Sequence, residues 1–364
     1  MARILVVEPY YGGSHKLFLD GLRRFVKADY TLLSLPARKW KMRMQLSAPW
    51  FIGQISALKE SERCFDTVLF SSFIDVSVFK ALASTIPGWN PDCRYLVYFH
   101  ENQFAYPNML APHTSHQFTA VNFTTALAAD SIAFNSNFNR NSFISHCRNY
   151  LGKATDMDLL HLSDILEDKS RVLYPGLDFS QIDAAREVSR DLKKNGPPLI
   201  IWNHRWEHDK NPEAFFTVLG KLQEAGIDFR LCVLGQRFQT EPVCFKEARQ
   251  EMKSKIFHFG YVENRADYYQ MLVQGDIVVS TARHEFFGIS IVEAVRAGCL
   301  PVVPNRLAYP ELFGPEFVYE EGGLFEHLVT IIRNRTALPL RETIELTESY
   351  SWRTLGKMYQ HWLS

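Results

Sequence analysis

His284-Glu285-Phe286-Phe287-Gly288-Ile289-Ser290-Ile291-Val292-Glu293-Ala294, with Ala297-Gly298-Cys299-Leu300-Pro301 behind it, is the stretch on which the fold turns. Ahead of it Asp276-Ile277-Val278-Val279-Ser280 has the unbroken apolar character of a buried strand, and Ile289, Val292, Ala294 and Val295 follow at helical spacing. Glu285 therefore falls at the carboxyl end of a strand, the edge of an open α/β sheet where ligands bind. The helix that follows offers its unpaired N–H groups beside Gly288 to an anion. Glu293 comes eight residues after Glu285, a little over two helical turns, so both acids can face one cleft. Two acids so placed suit a hydroxyl-rich ligand, although an isolated pair around a Phe-Phe-Gly turn is as readily a solvated helix start with a salt bridge.

Outward from this stretch, the same strand-then-helix rhythm fills the chain. Apolar strands are predicted at Ile4–Val7, Tyr30–Leu35, Thr67–Phe70, Tyr95–Phe99 and Ser131–Phe134, and again at Leu199–Trp202, Arg230–Leu234, Ile256–Phe259 and Leu300–Val303. The alternation implies two doubly wound parallel sheets. The polar, charged, Pro-punctuated run between the halves reads as a linker. The predicted division is a first domain over 1–179, a linker over 180–197, a second domain over 198–348, and a helix over 349–364 that crosses back onto the first domain.

The polar residues at the strand ends supply the rest of a site. After the first strand, Gly12, Gly13 and Ser14 open a helix; their amides suit a diphosphate, or the glycines make only a tight turn. That turn lacks GxGxxG, and the second strand ends without an acid, which argues against a nicotinamide dehydrogenase. His100 ends the strand at Tyr95 and Asn135 the strand at Ser131, converging on the same edge. In the second half Arg205 and Lys210 flank a strand-to-helix loop, where a guanidinium and an ammonium suit a pyrophosphate, or pair with Glu207 and Asp209 on the surface. Asp156-Met157-Asp158 spells DxD but leads into a helical pattern and not out of a strand, so no metal site is expected there.

Forty basic residues balance forty acidic ones over 364 residues, which excludes nucleic-acid binding by bulk charge but allows a local patch. Arg38, Lys39, Lys41 and Arg43 around Trp40 form such a patch, in which the cations would track phosphates and the indole stack on a base; a core position for Trp40 is the alternative. Six scattered cysteines with no CxxC pair indicate a reducing, cytoplasmic setting. No apolar run approaches a membrane span.

The opening stretch, with its ExFG, Glu-Ala and Gly-x-x-Pro elements, resembles the E-x7-E signature of retaining glycosyltransferases of the GT-B type. That resemblance implies two Rossmann-like domains facing each other across a cleft, Glu285 on hydroxyls of the transferred sugar and Glu293 on the ribose of the nucleotide. Further blocks, Glu8-Pro-Tyr-Tyr-Gly-Gly-Ser-His-Lys16, Leu35-Pro-Ala-Arg-Lys-Trp40, Tyr98-Phe-His-Glu-Asn-Gln103 and His204-Arg-Trp-Glu-His-Asp-Lys210, together resemble the tRNA-queuosine mannosyltransferases over nearly the whole length. The family implies GDP-mannose as donor and the cyclopentenediol of queuosine in a tRNA as acceptor; the residues themselves suggest a donor site of Gly12, Gly13, Ser14, Asn135, Arg205, Lys210, Glu285, Phe287, Gly288 and Glu293, and their charges suggest chemistry by Glu285, His100, Arg205 and Lys210 without a metal. A transferase acting on a lipid or glycan, or an idle nucleotide- or RNA-binding protein, would share part of the pattern. One departure stands out. The family's glycine-rich turn after the Leu300 strand is replaced by Pro304-Asn-Arg-Leu-Ala-Tyr-Pro-Glu-Leu312.

Overall fold

The computed structural model describes residues 1–105, 112–188, 196–237 and 242–364, the side chains of 112–115 excepted. The chain divides into two compact units, residues 1–177 with 352–364, and residues 178–351.

In the first unit β1 (Arg3–Tyr11), α1 (Gly13–Phe25), β2 (Asp29–Pro36), α2 (Trp40–Ser56), β3 (Thr67–Ser71), α3 (Val76–Ala83), β4 (Arg94–Phe99), α4 (Pro112–Ala128), β5 (Ser131–Phe134), α5 (Asn137–Leu151), α6 (His161–Asp168) and β6 (Ser170–Val172) follow in order. The strands form a parallel sheet ordered β2-β1-β3-β4-β5-β6. Alternate residues of β1 feed opposite faces: Leu5 and Val7 pack with Phe51, Phe70 and Val97, while Ile4 and Val6 pack with Phe18, Leu69 and Tyr98. Both faces are apolar because helices cover both, as a parallel sheet requires.

The second unit runs α7 (Ser180–Val188), β7 (Leu199–Asn203), α8 (Pro212–Glu224), β8 (Arg230–Leu234), α9 (Cys244–Glu251), β9 (Ile256–Gly260), α10 (Arg265–Gln274), β10 (Ile277–Val279), α11 (Ile289–Ala297), β11 (Leu300–Pro304), α12 (Tyr309–Leu312), β12 (Val318–Tyr319), α13 (Leu324–Asn334) and α14 (Leu340–Glu348). Its parallel sheet is ordered β12-β11-β10-β7-β8-β9. The terminal helix α15 (Trp352–Leu363) belongs to the first unit. Its Trp352, Tyr359 and Trp362 are buried there with Phe18 and Tyr98, and the Trp362 indole donates to Ser131 Oγ at 3.0 Å.

The linker expected over 180–197 needs correction at its start. Ser180–Val188 is helical and packs in the second unit, burying Ile182 and Ala185. Asp183 receives two hydrogen bonds from the buried Arg296 guanidinium, at 2.8 and 2.7 Å. The polarity that suggested a linker is the outer face of an amphipathic helix; residues 189–195 lie outside the described residues. The strands β6 and β12 had gone unrecognised, being too short to show a period.

Candidate active site

In an open α/β sheet the ligand crevice lies where strand order reverses, outside the carboxyl ends of the two strands involved. Here those pairs are β1/β3 in the first unit and β7/β10 in the second. Each carries a buried polar cluster.

At the β1/β3 edge, Glu8 is 1% exposed. Its carboxylate accepts from Tyr10 N at 2.7 Å and from Ser71 Oγ at 3.0 Å. His15, in the first turn of α1, spans two acids, with Nδ1 3.1 Å from Glu8 Oε2 and Nε2 3.3 Å from Glu101 Oε1. Burial opposes charging of this imidazole, but the two carboxylates outweigh it and push its pKa up to about 10. His15 is therefore an imidazolium donating at both nitrogens. Its ring stacks at 4.0 Å on His100, and burial, reinforced by that neighbouring charge, holds His100 well below the usual histidine range. One histidine is charged and its stacked partner neutral.

Of the other residues predicted in this unit, Gly12 precedes α1 in extended backbone and passes so close to Ala37 that a Cβ at Gly12 would lie 2.4 Å from Ala37 Cβ. Gly13 and Ser14 are exposed at the start of that helix, whose first turn holds no acid to compete for an anion. Asn135 is an internal brace: its amide donates to the His100 carbonyl at 2.7 Å and its oxygen accepts from Asn139 at 2.8 Å. It ties the end of β5 to the end of β4 and is only 6% exposed. Trp40 is half-buried, packing on Phe73 and Phe118 with centroids 5.7 and 5.1 Å away. Arg38 and Lys39 are exposed; Lys41 and Arg43 are half-buried.

At the β7/β10 edge the centre is Lys210, 5% exposed. Its ammonium donates to the His284 carbonyl at 2.6 Å and to Glu285 Oε2 at 3.2 Å, and lies 3.3 Å from Asp209 Oδ2. Burial disfavours this charge, but Glu285 and Asp209 together raise its pKa. Burial likewise works against the Glu285 carboxylate, yet Lys210 above all brings it down to about 2. The backbone closes the same junction: Arg283 N donates to Asp209 O at 2.8 Å and Thr281 Oγ1 to Lys210 O at 2.9 Å. Burial, then the charge of Lys210, keeps His204 and His284 neutral, with pKa values of about 3 and about 4. Arg205 is half exposed and paired with Glu207 at 2.9 Å, and acts on Lys210 through its charge.

Gly288 caps α11 at φ 99°, a left-handed conformation that favours glycine, and no side chain closes the helix start. Its amide neighbourhood is walled by the buried Tyr309 ring, which a Cβ at Gly288 would approach to 3.1 Å. Phe287 is buried, and its N–H faces Glu285 Oε1 at 3.4 Å. Glu293 does not pair with Glu285. It is buried on α11, receiving Arg265 NH2 at 2.6 Å and Tyr269 OH at 3.3 Å, and its pKa is raised by burial, with Arg265 opposing. A negative helix-facing ligand, a cation held beside it and two carboxylates for hydroxyls are the chemical capacities of this edge.

Several partners were not singled out from the sequence. Glu8, an acid ending an apolar strand, and His15 carried a usable local signal. Arg265 and Tyr269 carried none, because their roles depend on packing between distant elements, while Asp209, expected as a surface partner of Lys210, pairs with it in a largely buried position.

The chain resembles known families over most of its length. The family described as tRNA-queuosine alpha-mannosyltransferase N-terminal matches residues 3–177, and that described as glycosyl transferases group 1 matches 184–328. The chain is 38% identical over 325 residues to the tRNA-queuosine alpha-mannosyltransferase of Drosophila melanogaster, spanning 87% of this chain and 83% of the fly protein. It is 24% identical over 140 residues, 38% of this chain and 36% of the relative, to a GDP-mannose-dependent alpha-(1-6)-phosphatidylinositol dimannoside mannosyltransferase of Mycobacterium tuberculosis. Among solved structures, Anabaena HepE in complex with UDP superposes with a TM-score of 0.72 at 15% identity over 99% of both chains. The sucrose-phosphate synthase of Thermosynechococcus elongatus gives 0.71 at 10% identity over 100% of this chain and 98% of that one. These two likenesses show the GT-B fold.

Proposed function

We propose that this chain, which belongs to the tRNA-queuosine alpha-mannosyltransferase family, moves mannose from GDP-mannose to the cyclopentenediol of queuosine in a tRNA, retaining the anomeric configuration and using no metal. That it is a hexosyltransferase follows from family and fold together. The acceptor reading draws on the fly relative's name, and the donor reading on the GDP-mannose named for the mycobacterial one. The observation that carries the proposal is the Lys210 ammonium clasped by Glu285 and Asp209 at the β7/β10 edge, where α11 begins.

In the reaction, the bond between the sugar's anomeric carbon and the diphosphate oxygen breaks, and its electron pair leaves on GDP. The start of α11, with Arg205 and Lys210, stabilises that charge. Glu285, ionised by its pairing with Lys210, receives sugar hydroxyls, and Glu293 receives those of the ribose. The acceptor hydroxyl attacks the same face of the sugar, and its proton passes to the departing phosphate oxygen, so no protein base is required. His100, neutral in its stack at the β1/β3 edge, retains the capacity to donate or accept a hydrogen bond that a sugar contact calls for. Lys210 gives its protons to protein acceptors, so its part is to hold Glu285 in place and set the local charge, with the more exposed Arg205 the direct phosphate contact.

Purified protein incubated with individual nucleotide sugars and total tRNA tests the reading. Mass spectrometry of the digested nucleosides is expected to show a hexose on queuosine with GDP-mannose, and that product surviving EDTA. No hexosylated nucleoside with any donor would overturn the acceptor assignment; loss with EDTA and rescue by magnesium or manganese would overturn the metal-free chemistry.

A further inference from the structure

Helix α2 has two apolar faces. Met44, Ala48, Phe51 and Ile55 are buried in the first unit. On the opposite side Met42, Leu46 and Trp50, at i, i+4 and i+8, stand 51, 55 and 43% exposed, where a surface helix ordinarily turns polar. A contiguous exposed apolar stripe of this kind marks an interaction site. Trp50 is anchored edge-on to the buried Phe51, with centroids 5.0 Å apart, which leaves an indole presented from a rigid base.

The charge around the stripe is one-sided. From Tyr30 to Lys59 the chain contains no Asp or Glu, while Arg38, Lys39, Lys41, Arg43 and Lys59 are basic. The basic end of α2 is also joined to the sheet edge described above. Ala37 abuts Gly12, and Trp40 packs on Phe73, which stacks on His15, which stacks on His100. The stripe runs from that end along about 12 Å of helix, the rise between Met42 and Trp50.

We infer that this face of α2 docks the acceptor RNA, with Arg38, Lys39 and Lys41 on phosphates and Trp50, backed by Leu46 and Met42, lying flat against unstacked bases. The inference rests on the proposed function and deepens it by locating the acceptor surface and replacing Trp40 by Trp50 as the stacking residue. An aromatic beside cations is the recurrent platform for single-stranded nucleic acid. A bilayer fits less well, because α2 commits its larger apolar face to the core and cannot lie free in an interface. A second copy fits less well too, since an isologous contact would offer the same acid-free stretch from Tyr30 to Lys59 and no carboxylate to meet its cations.

The test uses the full chain, an in vitro transcript of a tRNA, and phosphatidylserine vesicles. Trp50→Ala is expected to weaken transcript binding by roughly ten-fold or more, the effect of one lost base stack, and to lower tRNA modification, while GDP affinity stays unchanged. Arg38→Gln with Lys39→Gln is expected to reduce the slope of log affinity against log salt by roughly 1.4 to 1.8. Equal transcript affinity in Trp50→Ala and wild type, with wild type still modifying tRNA, overturns this inference and leaves the proposed function standing. Trp50-dependent binding to the vesicles, or a dimer that Trp50→Ala dissociates, overturns it in favour of a membrane or a second copy. A wild type that neither binds the transcript nor modifies tRNA overturns both.

Discussion

Arg265 and Glu293 meet at 2.6 Å although 28 residues separate them in sequence, because α10 and α11 lie side by side and present them to one another. The guanidinium is about half exposed and the carboxylate 8% exposed. Burial raises the pKa of Glu293, and Arg265 works against that rise.

A carboxylate held this way receives two vicinal hydroxyls without rearrangement, the cost that preorganisation avoids. GDP is expected to bind at least roughly ten-fold more tightly than 2′,3′-dideoxy-GDP, the size of a charge-assisted hydrogen bond, and Glu293→Ala to erase the difference. Arg265→Ala is expected to weaken GDP binding by a similar factor without removing the preference. Calorimetry on the three proteins measures this; wild-type affinity in Arg265→Ala would remove the ion pair from donor binding.

Lys210 and Arg205, five residues apart, are expected to behave in opposite ways. Lys210→Met leaves Glu285 and Asp209 facing each other in the interior with no cation between them. Breaking such a buried pair costs about 3–5 kcal/mol, so the urea midpoint should fall sharply. Arg205→Ala removes a half-exposed pair with Glu207 and should change stability by no more than about 1 kcal/mol, yet weaken GDP binding roughly ten-fold. Denaturation and calorimetry together decide it: unchanged stability in Lys210→Met contradicts the clasp, and unchanged affinity in Arg205→Ala contradicts the phosphate contact.

The stacked histidines give pH signatures of opposite sign. The folded pKa of His15 is raised to about 10, so its stabilisation is complete below the ordinary value near 6.5 and is lost as pH climbs toward 10. His100 is lowered by burial and by the His15 charge; its contribution is present above about 6.5 and falls away in acid. The stability gap between wild type and His15→Gln should therefore shrink from pH 6.5 to 10. The gap to His100→Gln should shrink from pH 6.5 downward. Urea titrations across that range provide the check, and parallel pH profiles for all three proteins would mean the two rings do not differ in charge.

Elements with a long apolar run or a strong terminus were legible in the sequence: the strands at Ile4, Tyr95, Leu199 and Arg230 stand where the pattern placed them. Glu285 at a strand's carboxyl end was legible for the same reason. The partners were not. Nothing near Glu293 announces Arg265, and nothing near His100 announces that His15 stacks on it as a cation, because such contacts are fixed by strand order and helix packing. Trp40 is shared between surface and core, half-buried against Phe73 and Phe118, a placement that cations beside an aromatic do not reveal in the sequence. The helix at Ser180–Val188 was masked by its charged outer face.

The departure from the family's glycine-rich turn has a conformational cost that can be measured. Leu307 sits at φ 63°, a left-handed conformation that costs an L-residue with a Cβ about 1–2 kcal/mol. What holds it there is the next turn: Tyr309 is fully buried, its hydroxyl is 2.7 Å from Ser280 Oγ, and its ring walls Gly288. Arg306, just before it, donates to the Ala282 carbonyl at 3.2 Å. The strain at Leu307 is thus offset by contacts that shape the start of α11. Leu307→Gly relieves it and is expected to be as stable as wild type or about 1 kcal/mol more so, despite the lost side-chain packing. Leu307→Val, β-branched in the same conformation, is expected to lose about 1 kcal/mol or more. Tyr309→Phe should lower stability by about 1 kcal/mol through the lost hydrogen bond. Urea midpoints for the three variants rank them, and a Leu307→Gly protein less stable than Leu307→Val would show that side-chain packing at this position, not backbone strain, decides the energetics of the turn.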